Sequence, residues 1–416
     1  MKRSVCCLLG LAFWMLCLCI PMPALGEGDA GDLICVMVSI EEYPGYVYGY
    51  VDLAGNVVIE PQGTEWTRAH AFSEGRALVN DGYRMGGNGY IDTAGNIVIE
   101  RQWDHAYGFS EGRAVVTKVP QGERYQKYGY IDLVGNVVSE IQWNEARNFS
   151  GGLACVVKDD KMGYIGPDGS IAIALEWDAV FNHHWNGVGE FSEGLAHVAK
   201  DGKYGYIDMD GNVVIEPQWD RAWAFSEGLA AVEKDGKRGY IDMAGNVVIE
   251  PREGIPGSEF SSGLVLVHVE DGEWGFMDMM GNALIVSDGL LIEPYWGGRM
   301  GLDEFGYTEG LALVQRDGKY GYINVDGNIA IEPQWDYAYA FSEGLACVQK
   351  DGKYGYIDMA GNVVIEPEWE GAYMFSEGLI AVGKDGKWGC IDRAGNVVIV
   401  LEWDGIQTDP WLQDCC

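Results

Sequence analysis

The stretch FSEGLAAVEKDGKRGYIDMAGNVVIEP, from Phe225 to Pro251, contains the signals of short strands joined by tight turns. Leu229 to Lys234 suits a strand, and the Asp235-Gly236 pair that follows is typical of a two-residue type I′ hairpin turn. The returning strand is Lys237 to Asp242. We therefore predict an antiparallel hairpin over residues 229–242.

A second turn follows this hairpin. Asp242-Met243-Ala244-Gly245-Asn246 suits a type I turn in which the glycine takes the left-handed position. Val247 to Glu250 is rich in β-branched residues, which favour a strand, and Pro251 ends it. The unit is therefore predicted to be a three-stranded antiparallel meander.

The same phrase recurs through most of the chain, at a commonest spacing of 34 residues. The turn glycines of its ten copies are Gly55, Gly95, Gly135, Gly169, Gly211, Gly245, Gly281, Gly327, Gly361 and Gly395. Most copies are joined by a connector with Trp and Phe six residues apart, such as Trp219 and Phe225. Insertions lengthen the Trp177 to Phe191 connector and occupy 287–306, and Val119 to Lys127 enlarges one hairpin. Such positions are typical of surface loops in repeat proteins.

One 34-residue meander buries too little apolar surface to be stable alone, so neighbouring copies are expected to share a core. The predicted fold is all-β, with about ten tandem meanders. An open β-solenoid is favoured, because ten copies exceed the usual four to eight propeller blades and no strand is visibly split between the chain ends. A propeller, with a fourth strand in the connector, is the alternative.

The pattern G-K-Y/W-G-Y-I-D-x-x-G-N-V-V-I-E-P-Q-W-D resembles the bacterial WG (KWG) repeat, most literally at Trp274-Gly275 and Lys387-Trp388-Gly389. The resemblance covers about residues 45 to 404. It implies an exported or surface repeat protein that binds or scaffolds, with no reaction assigned. Cys390 in place of the usual tyrosine is one departure from the pattern.

The segment 1–26 is predicted to be a secretory signal. Lys2 and Arg3 precede an apolar run from Val5 to Ile20, and small residues lie near Gly26. Residues 27–44 then form a lead-in, 45–404 the repeat array and 405–416 a tail. The protein is therefore expected to be secreted or held at the cell surface, and no later run is long enough to span a membrane.

The chain is strongly acidic, with 63 Asp and Glu against 28 Lys and Arg and a net charge of −35. Such a surface repels phosphate groups, so nucleic acid and anionic lipid are not expected as ligands. The cysteines beyond the predicted signal fit no zinc or redox spacing. Cys155 and Cys347 take the place of Ala231 in their copies, so small core residues are predicted there rather than a disulfide bridge.

The repeated acids have structural and functional interpretations. Asp208, Asp242 and Asp358 open turns, where the side chain can accept a backbone N–H. Glu227, Glu343 and Glu377 precede glycine, and Asp220, Asp336 and Asp404 follow tryptophan, so both sets suit a solvated rim. A ladder of Ca²⁺-binding carboxylates is the functional alternative, but no Ca²⁺-loop spacing supports it.

The aromatic ladder is the most prominent candidate for binding. It comprises Trp103, Trp143, Trp177, Trp219, Trp335, Trp369 and Trp403. Rings at a fixed pitch could stack on sugars or on a partner's side chains, although periodic aromatics usually form the core. Four residues further on, Tyr107, Trp223, Tyr339 and Tyr373 are better candidates for exposed ligand-binding residues.

His183-His184-Trp185 lies in the insertion that lengthens the connector from Trp177 to Phe191. This segment is predicted to contact a partner. Adjacent histidines with no third ligand do not indicate a metal site. No catalytic triad, phosphate loop or catalytic carboxylate pair is evident, so the chain is not expected to be an enzyme or to carry a cofactor.

These observations favour an exported, non-enzymatic repeat protein that offers a binding or scaffold surface to a protein partner or to the cell envelope. The alternative is a carbohydrate or cell-wall binding module that stacks sugars on the repeated aromatics.

Overall fold

A computed structural model describes most of the repeat array. The described residues are 33–39, 46–62, 66, 68–80, 87–122, 125–179, 189–255, 259–261, 263–268, 274–284, 307–324, 326–373 and 378–407. Within them every regular element is a β-strand, and no helix is long and apolar enough to cross a membrane. The predicted signal at 1–26 lies outside these residues.

The predicted meander is confirmed. Strands Leu229–Lys234 and Lys237–Asp242 pair in register, and Asp235 and Gly236 between them have φ of 53° and 74°. In the next turn Gly245 N–H donates to Asp242 O, and Asp242 N–H donates to Asn246 O, both at 2.9 Å. Gly245 has φ of 83°, the left-handed value that a bulged hairpin requires here.

The connector contributes a fourth strand, Arg221–Ser226. It pairs with Leu229–Lys234 through a second two-residue turn, Glu227-Gly228, where φ is 54° and 81°. The sequence predicts this strand only in the propeller alternative, and it predicts Glu227 at a solvated rim, whereas Glu227 is the first residue of this two-residue turn.

The strands form ten separate antiparallel sheets, numbered here in chain order. Sheet 1 contains β1 (Leu33–Ser39), β2 (Tyr46–Asp52), β3 (Val57–Gln62) and β38 (Gly405–Gln407). Sheet 2 contains β4 (Arg68–Ser73), β5 (Arg76–Asn80), β6 (Asn88–Ile91) and β7 (Ile97–Trp103). Sheet 3 contains β8 (His105–Ser110), β9 (Arg113–Lys118), β10 (Lys127–Asp132) and β11 (Val137–Trp143). Sheet 4 contains β12 (Glu145–Ala146), β13 (Ala154–Lys158), β14 (Lys161–Ile165) and β15 (Ile171–Asp178). Sheet 5 contains β16 (Leu195–Lys200), β17 (Lys203–Asp208) and β18 (Val213–Trp219).

The second half of the chain repeats this order. Sheet 6 contains β19 (Arg221–Ser226), β20 (Leu229–Lys234), β21 (Lys237–Asp242) and β22 (Val247–Arg252). Sheet 7 contains β23 (Leu264–His268), β24 (Trp274–Asp278) and β25 (Ala283–Leu284). Sheet 8 contains β26 (Tyr307–Thr308), β27 (Leu311–Arg316), β28 (Lys319–Asn324) and β29 (Ile329–Trp335). Sheet 9 contains β30 (Tyr337–Ala338), β31 (Leu345–Lys350), β32 (Lys353–Asp358) and β33 (Val363–Trp369). Sheet 10 contains β34 (Gly371–Ala372), β35 (Leu379–Lys384), β36 (Lys387–Asp392) and β37 (Val397–Trp403).

We call the connector strand of each sheet its inner strand and the last meander strand its outer strand. Inner strands β4 and β8 of neighbouring sheets contact each other. Each outer strand ends its sheet and has no further strand beside it among the described residues. The inner edges of sheets 2 and 3 are therefore in contact.

The glycine of the Gly-Tyr-Ile motif is required by close backbone contact. A Cβ at Gly205 would lie 2.3 Å from the carbonyl oxygen of Ile215 and 2.7 Å from the nitrogen of Pro217. The outer strand bulges towards the middle strand here, as the register shift beside Tyr206 indicates. Only glycine fits under this bulge, which accounts for the glycine in the repeat pattern.

Neighbouring sheets share their cores. The turn glycine of most units packs on the isoleucine of the preceding outer strand, so that a Cβ at Gly245 would lie 3.2 Å from the Ile215 side chain. One cluster contains Tyr206 and Trp219 of sheet 5 together with Phe225 and Val232 of sheet 6. The predicted sharing of an interior between copies is confirmed.

The two ends of the array meet in sheet 1. Strand β38 pairs antiparallel with β1, with Val36 opposite Ile406. A cluster joins Val36 to Cys390 and Trp403 of sheet 10, and the Gly55 turn packs on Ile399, as at internal junctions. The prediction of an open array rests partly on the premise that no strand is split between the chain ends. That premise is wrong, because the short strand β38 near the end of the chain completes the first sheet.

This pairing also extends the array at both ends. Strand β1 lies within the segment 27–44 that was predicted as a lead-in, and β38 lies within the predicted tail 405–416. Strand β38 is difficult to predict from the sequence, because an inner strand needs only a few residues to complete its sheet.

Truncation of the chain after Asp404 removes β38 and leaves β1 with an unpaired edge. We expect the melting temperature to fall by several degrees, because the cluster around Ile406 and the last strand pairing are both lost. Truncation after Gln407 retains β38 and is the matched control. Thermal unfolding followed by circular dichroism measures both, and equal melting temperatures would show that β38 does not stabilise the array.

His197 is a buried titratable group in sheet 5. It occupies the position that Ala231 fills in sheet 6, is 1% exposed, and neither ring nitrogen has a hydrogen-bond partner. The nearest rings are Tyr204 and Tyr206, at 6.5 and 6.3 Å between centroids. Burial, with a smaller contribution from Arg147, lowers the pKa of His197 to about 4. The imidazole is therefore neutral in the folded protein at neutral pH.

This histidine is expected to make stability depend on pH. The unfolded chain takes up a proton near pH 6.5 and the folded chain only near 4, so stability falls as the pH drops through this window. Between pH 7 and 4.5 the wild type should lose roughly 2 to 3 kcal/mol more than His197→Ala. Urea unfolding at both values measures this. The exposed His105→Ala is the control, and equal pH dependence of wild type and His197→Ala would contradict the assignment.

Candidate binding surfaces

The tryptophan ladder is part of the core. Trp103, Trp143, Trp177, Trp219, Trp335, Trp369 and Trp403 are only 2–7% exposed. A lysine from the following sheet covers several of the rings, such as Lys118 Nζ over Trp103 at 4.9 Å and Lys234 Nζ over Trp219 at 5.7 Å. Of the two interpretations of the ladder, the core is confirmed. These rings are not available for stacking on a sugar.

The indole N–H groups of the ladder are mostly without hydrogen-bond partners, although they are buried. Trp143 is an exception, because its Nε1 donates to Ser139 Oγ at 2.8 Å. Ser139 stands where other outer strands have isoleucine. The indole N–H groups of Trp103, Trp177, Trp219, Trp335 and Trp369 have no such partner, and a buried isoleucine occupies the serine's position in their strands. An unsatisfied buried donor typically costs about 1 to 3 kcal/mol.

The aromatic residues four positions after the tryptophans lie on or next to the inner strands. Tyr107 is 44% exposed, whereas Trp223, Tyr339 and Tyr373 are half-buried. Arg238 lies 5.1 Å from the Trp223 ring, and Tyr373 packs on Trp388 at 5.2 Å. Among these four, only Tyr107 presents a largely open ring.

The same positions serve the fold through their main chain, which the sequence analysis missed. The buried Tyr206 hydroxyl donates to Trp223 O at 2.8 Å, and Tyr322 donates to Tyr339 O at 2.6 Å. Each bond links one sheet to the inner segment of the next. The sequence contains one signal for these bonds, because the donor tyrosine and the acceptor residue are the same number of residues apart in each pair.

The third group of predicted site residues, His183, His184 and Trp185, lies outside the described residues. At the described end of that insertion, Glu190 forms an ion pair with Arg147 next to the inner strand of sheet 4.

The aspartates that open the second turn are used within it. Asp242 Oδ1 accepts from Ala244 N and Asn246 N at 2.9 and 2.8 Å, and its Oδ2 accepts from Asn246 Nδ2 at 2.9 Å. The hydrogen bonds from Asn246 hold the pKa of Asp242 below its usual value, and Asp208 and Asp358 behave alike. The Asx-type turn interpretation is confirmed.

The glutamates before glycine link neighbouring sheets. Glu193 Oε2 accepts from Gly228 N at 2.9 Å, and Glu227 Oε2 accepts from Gly263 N at 2.7 Å. The serine before each glutamate adds a second bond, since Ser226 Oγ donates to Phe260 O at 2.8 Å. The Ser-Glu-Gly signature therefore links neighbouring sheets, and Glu193 and Glu227 are at the same time exposed, as predicted for a solvated rim. Glu377 lies outside the described residues.

The aspartates after tryptophan also bridge two sheets. Asp220 Oδ2 accepts from Asp235 N at the next hairpin tip, at 2.7 Å, and Oδ1 pairs with Lys203 of its own sheet. Asp404 repeats this at the junction of the chain ends, where it pairs with Lys387 at 2.6 Å and accepts from Ser39 N at 2.7 Å. The hydrogen bond from Lys203 holds the pKa of Asp220 below its usual value.

Nucleophilic and metal-binding chemistry is not evident among the described residues. Cys35, Cys155, Cys347 and Cys390 are buried free thiols, and burial raises the pKa of each to about 12. The small-core interpretation of Cys155 and Cys347 is confirmed. No group of three His, Cys, Asp or Glu side chains is placed to hold a metal ion in the described part of the chain.

The outer strands present a repeated exposed surface, which we call the outer rim. Each contributing strand exposes valine and, two residues after the last valine, glutamate. The exposed residues of the outer rim are Val57, Val58, Glu60, Val98, Glu100, Val213, Val214, Glu216, Val247, Val248, Glu250, Val363, Val364 and Glu366. The valines are 36–42% exposed. Sequence periodicity missed them, because it predicts a strand but not which sheet edge faces solvent.

Solved structures give only distant similarities. BamB from Moraxella catarrhalis has 13% identity and a TM-score of 0.34, over 71% of this chain and 94% of that one. A eukaryotic initiation factor has 11% identity and a TM-score of 0.46, over 90% and 96%. The dihydro-heme d1 dehydrogenase NirN in complex with DHE has 12% identity and a TM-score of 0.36, over 93% and 76%. No curated protein matches the chain.

The family assignment comes from the repeat itself. The model described as WG containing repeat matches residues 48–83, 89–118, 128–161, 162–204, 204–237, 320–354, 354–388 and 388–408. Those segments cover more than half of the chain, and in the described structure each contains strands and turns of the meander. The protein belongs to the WG containing repeat family.

Proposed function

We propose that the protein is an exported, non-enzymatic scaffold, a closed ten-bladed β-propeller that binds a basic, amphipathic protein segment on its outer rim. The observation that carries the proposal is the repetition of exposed valine and glutamate on the outer strands β3, β7, β18, β22 and β33.

The closed ring is supported by the junction of the chain ends. At that junction the turn glycine, the bridging aspartate and the shared cluster all repeat the contacts of internal junctions. Contacts of this kind join most neighbouring sheets among the described residues, and we propose that they continue from sheet 7 to sheet 8 and close the ring. The outer rim is then carried by β3, β7, β18, β22 and β33.

A basic partner is supported by charge. The chain has a net charge of −35, and each contributing outer strand adds an exposed carboxylate next to exposed valine. A segment that alternates basic and apolar residues matches this pattern in both respects. Repetition of the same weak contact around the perimeter raises the overall affinity by multivalency.

The side chains, rather than the open strand edge, are expected to make the contact. Pro217, Pro251, Pro333 and Pro367 lie within their outer strands. Proline lacks the N–H that an added strand would need and protects the edge from pairing with another chain.

The non-enzymatic part of the proposal is supported by the use of the repeated polar groups. Asp242, Glu193 and Asp220 represent three repeated carboxylate positions, and all three bind turns or neighbouring sheets. Export is supported by the signal-like segment 1–26. The envelope glycan alternative has less support, because the tryptophan ladder is buried and Tyr107, at 44%, is the most exposed of the predicted aromatic site residues that the structure describes.

The test uses the chain from residue 27 to 416 and two 14-residue peptides, one alternating lysine with leucine and one alternating glutamate with leucine. We expect the lysine peptide to bind and the glutamate peptide not to bind, measured by biolayer interferometry. The double variant Glu216→Gln with Glu250→Gln should weaken binding about tenfold, which corresponds to about 1.4 kcal/mol.

Two further variants separate rim binding from general charge attraction. Asp210→Asn with Asp326→Asn removes the same charge from exposed turns and should leave binding nearly unchanged. Val213→Thr with Val247→Thr retains shape and charge and should weaken it. Equal losses in the glutamate and aspartate variants, or no loss in the threonine variant, would contradict the proposal. A glycan array that gives hits lost in Tyr107→Ala would favour the carbohydrate alternative.

A further inference from the structure

Sheet 3 departs from the repeat at one hairpin. In sheet 6, Lys234 pairs with Lys237 and only Asp235-Gly236 lies between them. In sheet 3, Lys118 pairs with Lys127, so the loop between these strands has grown to residues 119–126. The structure describes this loop except for residues 123 and 124.

Val119, Tyr125 and Gln126 of the enlarged loop line one wall of a cleft of about 420 Å³, between sheet 3 and the start of sheet 4. This volume suits a small organic molecule. The lining residues are Asp104, His105, Val119, Tyr125, Gln126, Tyr128, Asn144 and Glu145.

The acidic residues equivalent to Asp104 in other sheets form ion pairs with a lysine, and Asp104 has no such lysine among the described residues. In other sheets the acidic residue after or at the end of the outer strand pairs with the lysine that begins the middle strand, as seen for Asp178, Asp220, Asp336, Glu370 and Asp404. In sheet 2 the place of that lysine is taken by Gly87, directly before β6. Asp104 Oδ2 still accepts from the loop, from Val119 N at 2.7 Å, but Asp104 has no basic partner among the described residues.

The rest of the lining suits a positive group. Glu145 is half-buried, and burial raises its pKa above the usual value, while Arg147 acts in the opposite direction. A further cation nearby would stabilise its ionised form. Tyr128 is held in place by Gln126, whose Nε2 donates to the Tyr128 hydroxyl at 2.8 Å. Tyr125 and Tyr128 provide aromatic faces for a cation, and no lysine or arginine is among the lining residues.

We propose that this cleft binds a small primary amine, whose ammonium group takes the place beside Asp104 that a lysine Nζ takes beside Asp220. The hydrocarbon part of the ligand lies against Tyr125, Tyr128 and Val119. The proposal is independent of partner binding at the outer rim, because the cleft lies at the hairpin end of sheet 3.

The test measures binding of 1,5-diaminopentane to the chain from 27 to 416 by isothermal titration calorimetry. The amine should bind, and uncharged 1,5-pentanediol should not bind at the same concentration. Asp104→Asn, which retains the shape of the site, should weaken amine binding at least tenfold. Glu145→Gln should weaken it in the same direction.

Gly87→Lys restores the lysine of the repeat and is expected to abolish amine binding by pairing with Asp104. Asp220→Asn removes an equivalent carboxylate in another sheet and is the matched control that should retain binding. Thermal unfolding confirms that each variant is folded. The proposal is overturned if the amine does not bind the wild type, if pentanediol or a neutral hexose binds equally well, or if folded Asp104→Asn binds like wild type.

Discussion

The contact on which the architecture depends is the packing of one turn glycine on one isoleucine of the preceding sheet. A Cβ at Gly245 would lie 3.2 Å from Ile215, and the same arrangement joins Gly95 to Ile59 and Gly55 to Ile399. Glycine is required at this position for two reasons: its φ is left-handed, and its Cα lies close to the isoleucine side chain. Because each sheet alone buries too little surface to be stable, this contact turns weak units into a continuous core.

Much of the polar sequence of the repeat is explained by the same requirement. A junction between two sheets would otherwise bury backbone N–H and C=O groups without partners. Ser226 and Glu227 supply a donor and an acceptor to the next sheet, the Tyr206 hydroxyl supplies another donor, and Asp220 accepts from the next hairpin tip. The repeated carboxylates for which Ca²⁺ binding was the alternative therefore hold turns and sheets together. Among the described residues, the outer rim and the places where the repeat is broken are the candidate surfaces for function.

The local structure was predictable from sequence because each turn has its own chemistry. Asp235-Gly236 and Asp242 to Asn246 encode their hairpins within a few residues, and the structure has both. The fourth strand and the junction of the ends were harder. Glu227 is not a usual first residue of a type I′ turn, and it occupies the left-handed position because its carboxylate is held by the next sheet. Strand β38 is very short, and its partner β1 lies near the opposite end of the chain, so only tertiary packing identifies it.

The candidate site depends on comparing copies rather than on recognising a motif. No local pattern distinguishes Asp104 from Asp220, since both follow the tryptophan of an outer strand. The difference lies at Gly87, where the repeat has lysine, and in a hairpin loop that begins at Val119. Among the described residues Asp104 lacks the lysine that its equivalents have, so it is a local excess of negative charge beside the cleft. At five equivalent positions a lysine of the protein supplies the ammonium group, and we propose that at this cleft a ligand supplies it.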